Sequence, residues 1–180
     1  MAKKKETNEY TGLDVVKIRL VKEASMLSDE PVRDVDDAVN VIKKYLSDFD
    51  REAFCILNLA SDGKPISVNV ASIGTLSATL VAPRETFKSC ILSNAAGFIA
   101  FHCHPSGNPK PSRDDAEITQ RLRDAGKVLD IKMVDHIIVG CGSEMTFSFA
   151  AEGLMTADDI IYEYSNRVAE RRTERYHDGR

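Results

Sequence analysis

One short stretch constrains this chain more than any other: His102-Cys103-His104-Pro105-Ser106-Gly107, followed by Ser112 and Asp115. The apolar run Phe98-Ile99-Ala100-Phe101 just before it reads as a buried strand. On an extended strand residues i and i+2 share a face, so His102 and His104 can converge on one ion while Cys103 points the other way. The Pro105–Pro111 stretch can neither continue the strand nor start a helix early, so it must turn. Ser112 then reads as a helix N-cap, which puts Asp115 in the first turn, facing back. The fold must therefore contain a strand–turn–helix unit that gathers two imidazoles and a carboxylate. That donor set, with an open fourth position, is the one catalytic zinc sites use.

Each of these residues has a plainer reading. A lone histidine is more often a satisfied core or surface residue than a ligand, but a same-face pair at a strand end beside a turn is hard to explain by packing. An acid in the first helical turn favours the helix dipole whether or not it binds metal. Asp114 shares that role with Asp115, and is assigned the purely structural part. Cys103 reads as a buried thiol. Asp135-His136 sits on a later strand. Both are read as supporting or structural, because His136 as a fourth ligand would close the site to water.

The rest of the chain bounds the possibilities. At 180 residues it suits one domain with a sizeable core. A net charge of −4 supplies no basic field for a nucleic-acid backbone, so DNA binding is expected to be weak or absent. The basic residues near the ends read as solvated tails. Neither a signal peptide nor a membrane-spanning stretch is apparent, and the four cysteines form no CxxC pair. These features suit reduced thiols and a cytoplasmic location.

Periodicity predicts a half-exposed strand over 16–20 and a loop over 25–34. It predicts helices over 36–46, from Pro83, from Ser112 to about 129, and over 158–170. Strands are predicted at 54–59, 66–70, 98–104, 131–139 and 145–149, the first two forming a hairpin through Ser61-Asp62-Gly63-Lys64. Residues 1–12 and 171–180 read as polar and charged tails around a single domain over 13–170. The order implies an α/β fold with a mixed central sheet flanked by helices.

At this point the residues resemble a family. Glu52, His102, His104 and Asp115 are similar to the JAMM metal signature of the JAB/MPN superfamily. Pro83-Arg84-Glu85-Thr86-Phe87-Lys88, Asn94-Ala95-Ala96, His104-Pro105-Ser106-Gly107, Pro111-Ser112 and Asp135-His136-Ile137-Ile138-Val139-Gly140 look like its RadC-like branch, over about residues 32–155. Cys103 departs from the Asn usual there, and the chain resembles short forms without a helix-hairpin-helix module. The resemblance implies a fold like that of cytidine deaminases. It does not imply their chemistry, since the Pro-Cys-x-x-Cys pair they use is absent.

The resemblance further implies a one-zinc hydrolase acting on a protein or peptide, with Glu52 as general base. Glu85 is the competing carboxylate, at a helix start. Ser112 can steady an oxyanion, or serve only as the cap. Two other readings stand beside the metallopeptidase. One is a metal-dependent nuclease or DNA-repair factor, which would call for more carboxylates or a basic face. The other is a non-enzymatic module that keeps metal for structure. A homo-oligomer is compatible with all three.

Overall fold

The computed structural model describes residues 17, 19–22, 35–74 and 81–155. Helix α1 (Val35–Ser47) opens the folded unit, with Asp36 and Asp37 in its first turn and Lys44 in its last. Both signs suit the helix dipole. Strands β1 (Ala53–Leu59) and β2 (Pro65–Ile73) form the expected hairpin. Helix α2 (Pro83–Leu92) starts with proline, whose missing N–H costs nothing at that position. Strand β3 (Gly97–His104), helix α3 (Arg113–Leu129), strand β4 (Lys132–Gly140) and the short strand β5 (Thr146–Ser148) complete the order.

The five strands form one sheet in the order β2-β1-β3-β4-β5. The β3–β4 pair is parallel and the other pairs are antiparallel. This is the mixed α/β architecture the sequence predicts. Alternation along β1 and β3 divides the core in two. Cys55, Leu57, Ile99, Phe101 and Cys103 pack with Ala38, Ile42 and Leu46 of α1. Phe54, Ile56, Phe98 and Ala100 pack on the other face with Phe87 and Cys90 of α2 and Ile118 and Leu122 of α3. The sheet is thus covered on both faces, which is what a parallel pair at its centre requires.

The β3–β4 register slips between Phe98 and Ile99, so that Met133 pairs Phe98 while Asp135 pairs Ile99. Val134 is the extra residue. It resets the alternation of β4, so Met133 and His136 both face α3 although they are three apart.

The strand expected over 16–20 is only partly described. Residues 17 and 19–22 carry no strand, and Leu20 and Val21 are exposed, while residues 16 and 18 lie outside the described residues. The predicted polar tails, the loop over 25–34 and the helix over 158–170 lie outside the described residues. No helix among the described residues is long and apolar enough to cross a membrane.

Candidate metal centre

The site stands at the C-terminal end of β3, where α3 begins. His102 and His104 extend from the same side of the strand, their ring centroids 4.6 Å apart and their planes at 84°. Asp115 meets them from the first turn of α3. Its Oδ1 lies 2.9 Å from His102 Nδ1, and its Oδ2 lies 3.4 Å from His104 Nε2. One donor atom from each of the three falls within 4.8 Å of the others.

The turn and the helix cap set this geometry. Ser112 and Asp115 form a reciprocal capping box. The Asp115 N–H donates to Ser112 Oγ (3.1 Å), and the Ser112 N–H donates to Asp115 Oδ2 (2.7 Å). The Ser112 hydroxyl also donates to Oδ2, at 2.6 Å. His104 Nδ1 donates to the Asn108 carbonyl at 2.8 Å, which leaves Nε2 as the acceptor facing Asp115. The His104 carbonyl accepts both Gly107 N–H and Cys141 N–H, tying the turn to the end of β4. Gly140 is required there, since a Cβ would collide with the Gly107 carbonyl.

These residues fit a metal ion. Both ring nitrogens of His102 are buried without a hydrogen-bond partner, although Nδ1 is only 2.9 Å from a carboxylate oxygen. Two atoms so close and yet not hydrogen-bonded to each other suit convergence on a third. Ligand atoms around a tetrahedral zinc stand roughly 3.3 Å apart, given bonds of about 2.0 Å. The two Asp115–imidazole distances bracket that spacing.

The electrostatics agree. Burial opposes the charge on Asp115, but the His102 and His104 imidazoles and the Ser112 hydroxyl outweigh it and hold its carboxyl well below the usual range. Burial likewise opposes the charge on His104, yet Asp115 and the Asn108 carbonyl raise its pKa. His136 is wholly buried, and desolvation followed by repulsion from His102 lowers its pKa to about 3. It is therefore neutral.

A cavity of about 340 Å³ opens over the three residues. Glu52, Phe54, Val81, Ser112 and Asp114 share its wall. Phe54 pairs with His102 across β1 and β3, and continuing that register brings Glu52 opposite His104. Glu85 does not line the cavity. It pairs with Arg84 and Lys88 on the outside of α2. Asp114, read from sequence as structural, is exposed at the rim. Cys103 faces α1, its thiol donating to the Arg51 carbonyl at 3.3 Å, and burial raises its pKa to about 12.

Asp135 anchors the β4–β5 connection. Its Oδ1 accepts from the N–H groups of His136 and Ala150, and its Oδ2 from Ser148 Oγ. His136 faces the site side of the sheet, its ring within 6.1 Å of His102 and stacked at 6° on Phe149. Thr119, which bonds His136, escapes sequence reasoning. A threonine one turn after an aspartate on a helix carries no signal until β4 is in place beside it.

The fold and the gathered side chains define an α/β domain with a His/His/Asp group that could hold a metal ion. Residues 32–154 match the family model described as the RadC-like JAB domain, and the chain belongs to that family. Three of its relatives are each named UPF0758 protein. One from Desulforudis audaxviator (strain MP104C) is 44% identical over 109 residues, covering 61% of this chain and 47% of the relative. Another, from Desulfitobacterium hafniense (strain DSM 10664 / DCB-2), is 35% identical over 145 residues, covering 75% and 64%. A third, from Syntrophomonas wolfei subsp. wolfei (strain DSM 2245B / Goettingen), is 42% identical over 124 residues, covering 68% and 52%. The chain thus spans about half to two thirds of the length of these curated relatives.

Proposed function

We propose that this domain is a metal-dependent hydrolase of the JAMM type, with zinc as the ion and a peptide or isopeptide bond as the target. The observation that carries the reading is the convergence of His102, His104 and Asp115 beneath a cavity that Glu52 also lines. Membership of the RadC-like JAB family supports the hydrolase class in general terms.

Zinc held by these residues supplies Lewis acidity and lowers the pKa of water to about 7. Glu52, at the cavity wall beside His104, accepts a proton from the attacking water and returns it to the leaving nitrogen. Ser112 keeps the Asp115 carboxylate turned toward the imidazoles. Its hydroxyl, at rest on Oδ2, is also within the cavity lining, where rotation lets it donate to a developing oxyanion. Phe54, Val81 and Ile118 form the apolar wall that limits water.

A peptide is favoured over a phosphodiester by charge. Among the described residues the cavity lining includes Glu52, Asp114 and Asp115 but neither Lys nor Arg. A divalent ion would offset two of these three negative charges, so a phosphodiester would still meet a net negative site with no basic side chain among the described lining residues to hold it. Partners are accordingly proteins or peptides, with DNA binding weak or absent, in the cytoplasm and with or without self-association.

The test is Glu52→Gln, which keeps the size of the side chain but removes the base. Expected is unchanged zinc content with hydrolysis lowered by roughly 10²–10⁴-fold, measured on peptide and isopeptide substrates with DNA in parallel. Glu85→Gln is expected to stay near wild type. Loss of activity in Glu85→Gln alone would reassign the base, and cleavage of DNA alone would replace the peptidase reading.

A further inference from the structure

We propose that His136 and Thr119 form a positioning relay that sets the backbone of Asp115, and through it the affinity of the site for metal. It rests on the metal-ligation half of the reading above and not on the peptidase half.

Asp115 is held from three directions. Ser112 fixes its carboxylate and its N–H, as described above. Its backbone carbonyl accepts the Thr119 hydroxyl at 2.6 Å. A threonine donating to the carbonyl four residues earlier is common in helices. Here the hydroxyl has a second, fixed partner. Thr119 Oγ1 also lies 2.7 Å from His136 Nδ1. A hydroxyl carries one proton, already given to the Asp115 carbonyl, so Nδ1–H of His136 must be the donor in this second bond. The chain of donation runs from His136 on β4, through Thr119, to Asp115.

The anchor of the relay is rigid. His136 and Thr119 are fully buried. The His136 ring is clamped between Phe149, nearly parallel at 5.2 Å, and the edge contact with Phe54 at 5.7 Å. Asp135 holds the adjoining segment through three hydrogen bonds, from the N–H groups of His136 and Ala150 and the hydroxyl of Ser148. The relay thus ties the first turn of α3 to β4, while the two imidazoles ride on β3. The spacing between Asp115 and the imidazoles is then set by the pairing of β3 with β4 as well as by the turn. Packing alone does not explain a buried hydroxyl, carbonyl and imidazole joined in series. An apolar core residue in place of Thr119 would fill the same volume.

The experiment titrates the protein with Co²⁺ alone and follows the visible d–d absorption of the bound ion. Thr119→Val keeps the shape of threonine without the hydroxyl, and Thr119→Ser keeps the hydroxyl without the methyl. Expected is a 10- to 100-fold loss of cobalt affinity and a shifted d–d band in Thr119→Val, with both restored in Thr119→Ser. A folded Thr119→Val that binds like wild type overturns the proposal, as does failure of Thr119→Ser to restore binding. If Thr119→Val does not fold, His136→Asn, which keeps a donor near Nδ1, is compared with His136→Leu, which does not. Tighter binding by the asparagine variant supports the relay, and equal binding overturns it. Unfolding of Thr119→Val and His136→Leu together makes the pair a requirement of the fold and overturns it too. A wild type that binds no cobalt overturns both this proposal and metal ligation itself.

Discussion

Replacing Ser112 with alanine separates what the cap does for the fold from what it does for the site. The hydroxyl accepts the Asp115 N–H and donates to Asp115 Oδ2, while the Ser112 N–H bond to Oδ2 survives the change. Loss of an N-cap side chain costs about 1 kcal/mol. A hydrogen bond to a carboxylate is worth about 1.5–3 kcal/mol when sheltered. Ser112 is exposed, so water replaces much of that second contribution. The expected destabilisation is about 1–2 kcal/mol, measured by urea denaturation in chelator, with a midpoint of thermal unfolding lower by roughly 3–8 °C. Zinc affinity should fall about 10- to 100-fold, because the carboxylate loses one of the groups that orient it. At saturating zinc the remaining loss in kcat reports the oxyanion. A residual drop of roughly 10²–10³ assigns the hydroxyl to the transition state, and full recovery confines it to capping and orientation. A variant within about 0.3 kcal/mol of wild type and with unchanged zinc affinity refutes the reasoning, given what caps are ordinarily worth.

Three further outcomes are expected. His104→Ala removes one of the three donors, so zinc measured by elemental analysis should drop to background, and equal zinc in both proteins would sink the ligand assignment. Gly140→Ala forces a Cβ into the Gly107 carbonyl and to 2.7 Å from Ser143 Oγ; it should cost about 2–4 kcal/mol in denaturant and loosen the turn after His104. Labelled duplex and single-stranded DNA should bind only weakly near physiological salt, with an affinity that falls steeply as salt rises. Sub-micromolar binding that survives deletion of residues 1–12 and 171–180 would reveal a nucleic-acid face.

Much of this centre was legible because its chemistry is local. The alternation at His102-Cys103-His104 predicts two ring side chains on one face and a thiol on the other, and the capping pair Ser112 and Asp115 predicts where the helix starts. The two core layers follow from apolar spacing. What escaped depends on contacts between distant segments. The extra residue Val134 resets the alternation of β4, and no residue type marks it, so the side to which His136 turns cannot be read from spacing. Thr119 acquires its partner only when β4 lies beside α3. In the alternating segment at 16–20 only residues 17, 19 and 20 are described, and these carry no strand. That Glu52 lines the cavity while Glu85 lies outside it, paired with Arg84 and Lys88, likewise needed the fold.

The arrangement of the site along the chain bears on the order in which it assembles. His102, His104 and Asp115 lie within one strand end, one turn and the start of one helix. Glu52 lies about 50 residues upstream and reaches them only through the antiparallel pairing of β1 with β3. Loop-closure entropy grows only slowly with length, so gathering Glu52 carries about 1 kcal/mol more than gathering the three ligands. The larger difference is in what must already be folded. On the proposed reading, the donors for an ion come from one strand–turn–helix unit, whereas the proposed base is placed by strand pairing in the central sheet. A disturbance of the β1–β3 pairing is therefore expected to displace Glu52 before it separates His102, His104 and Asp115.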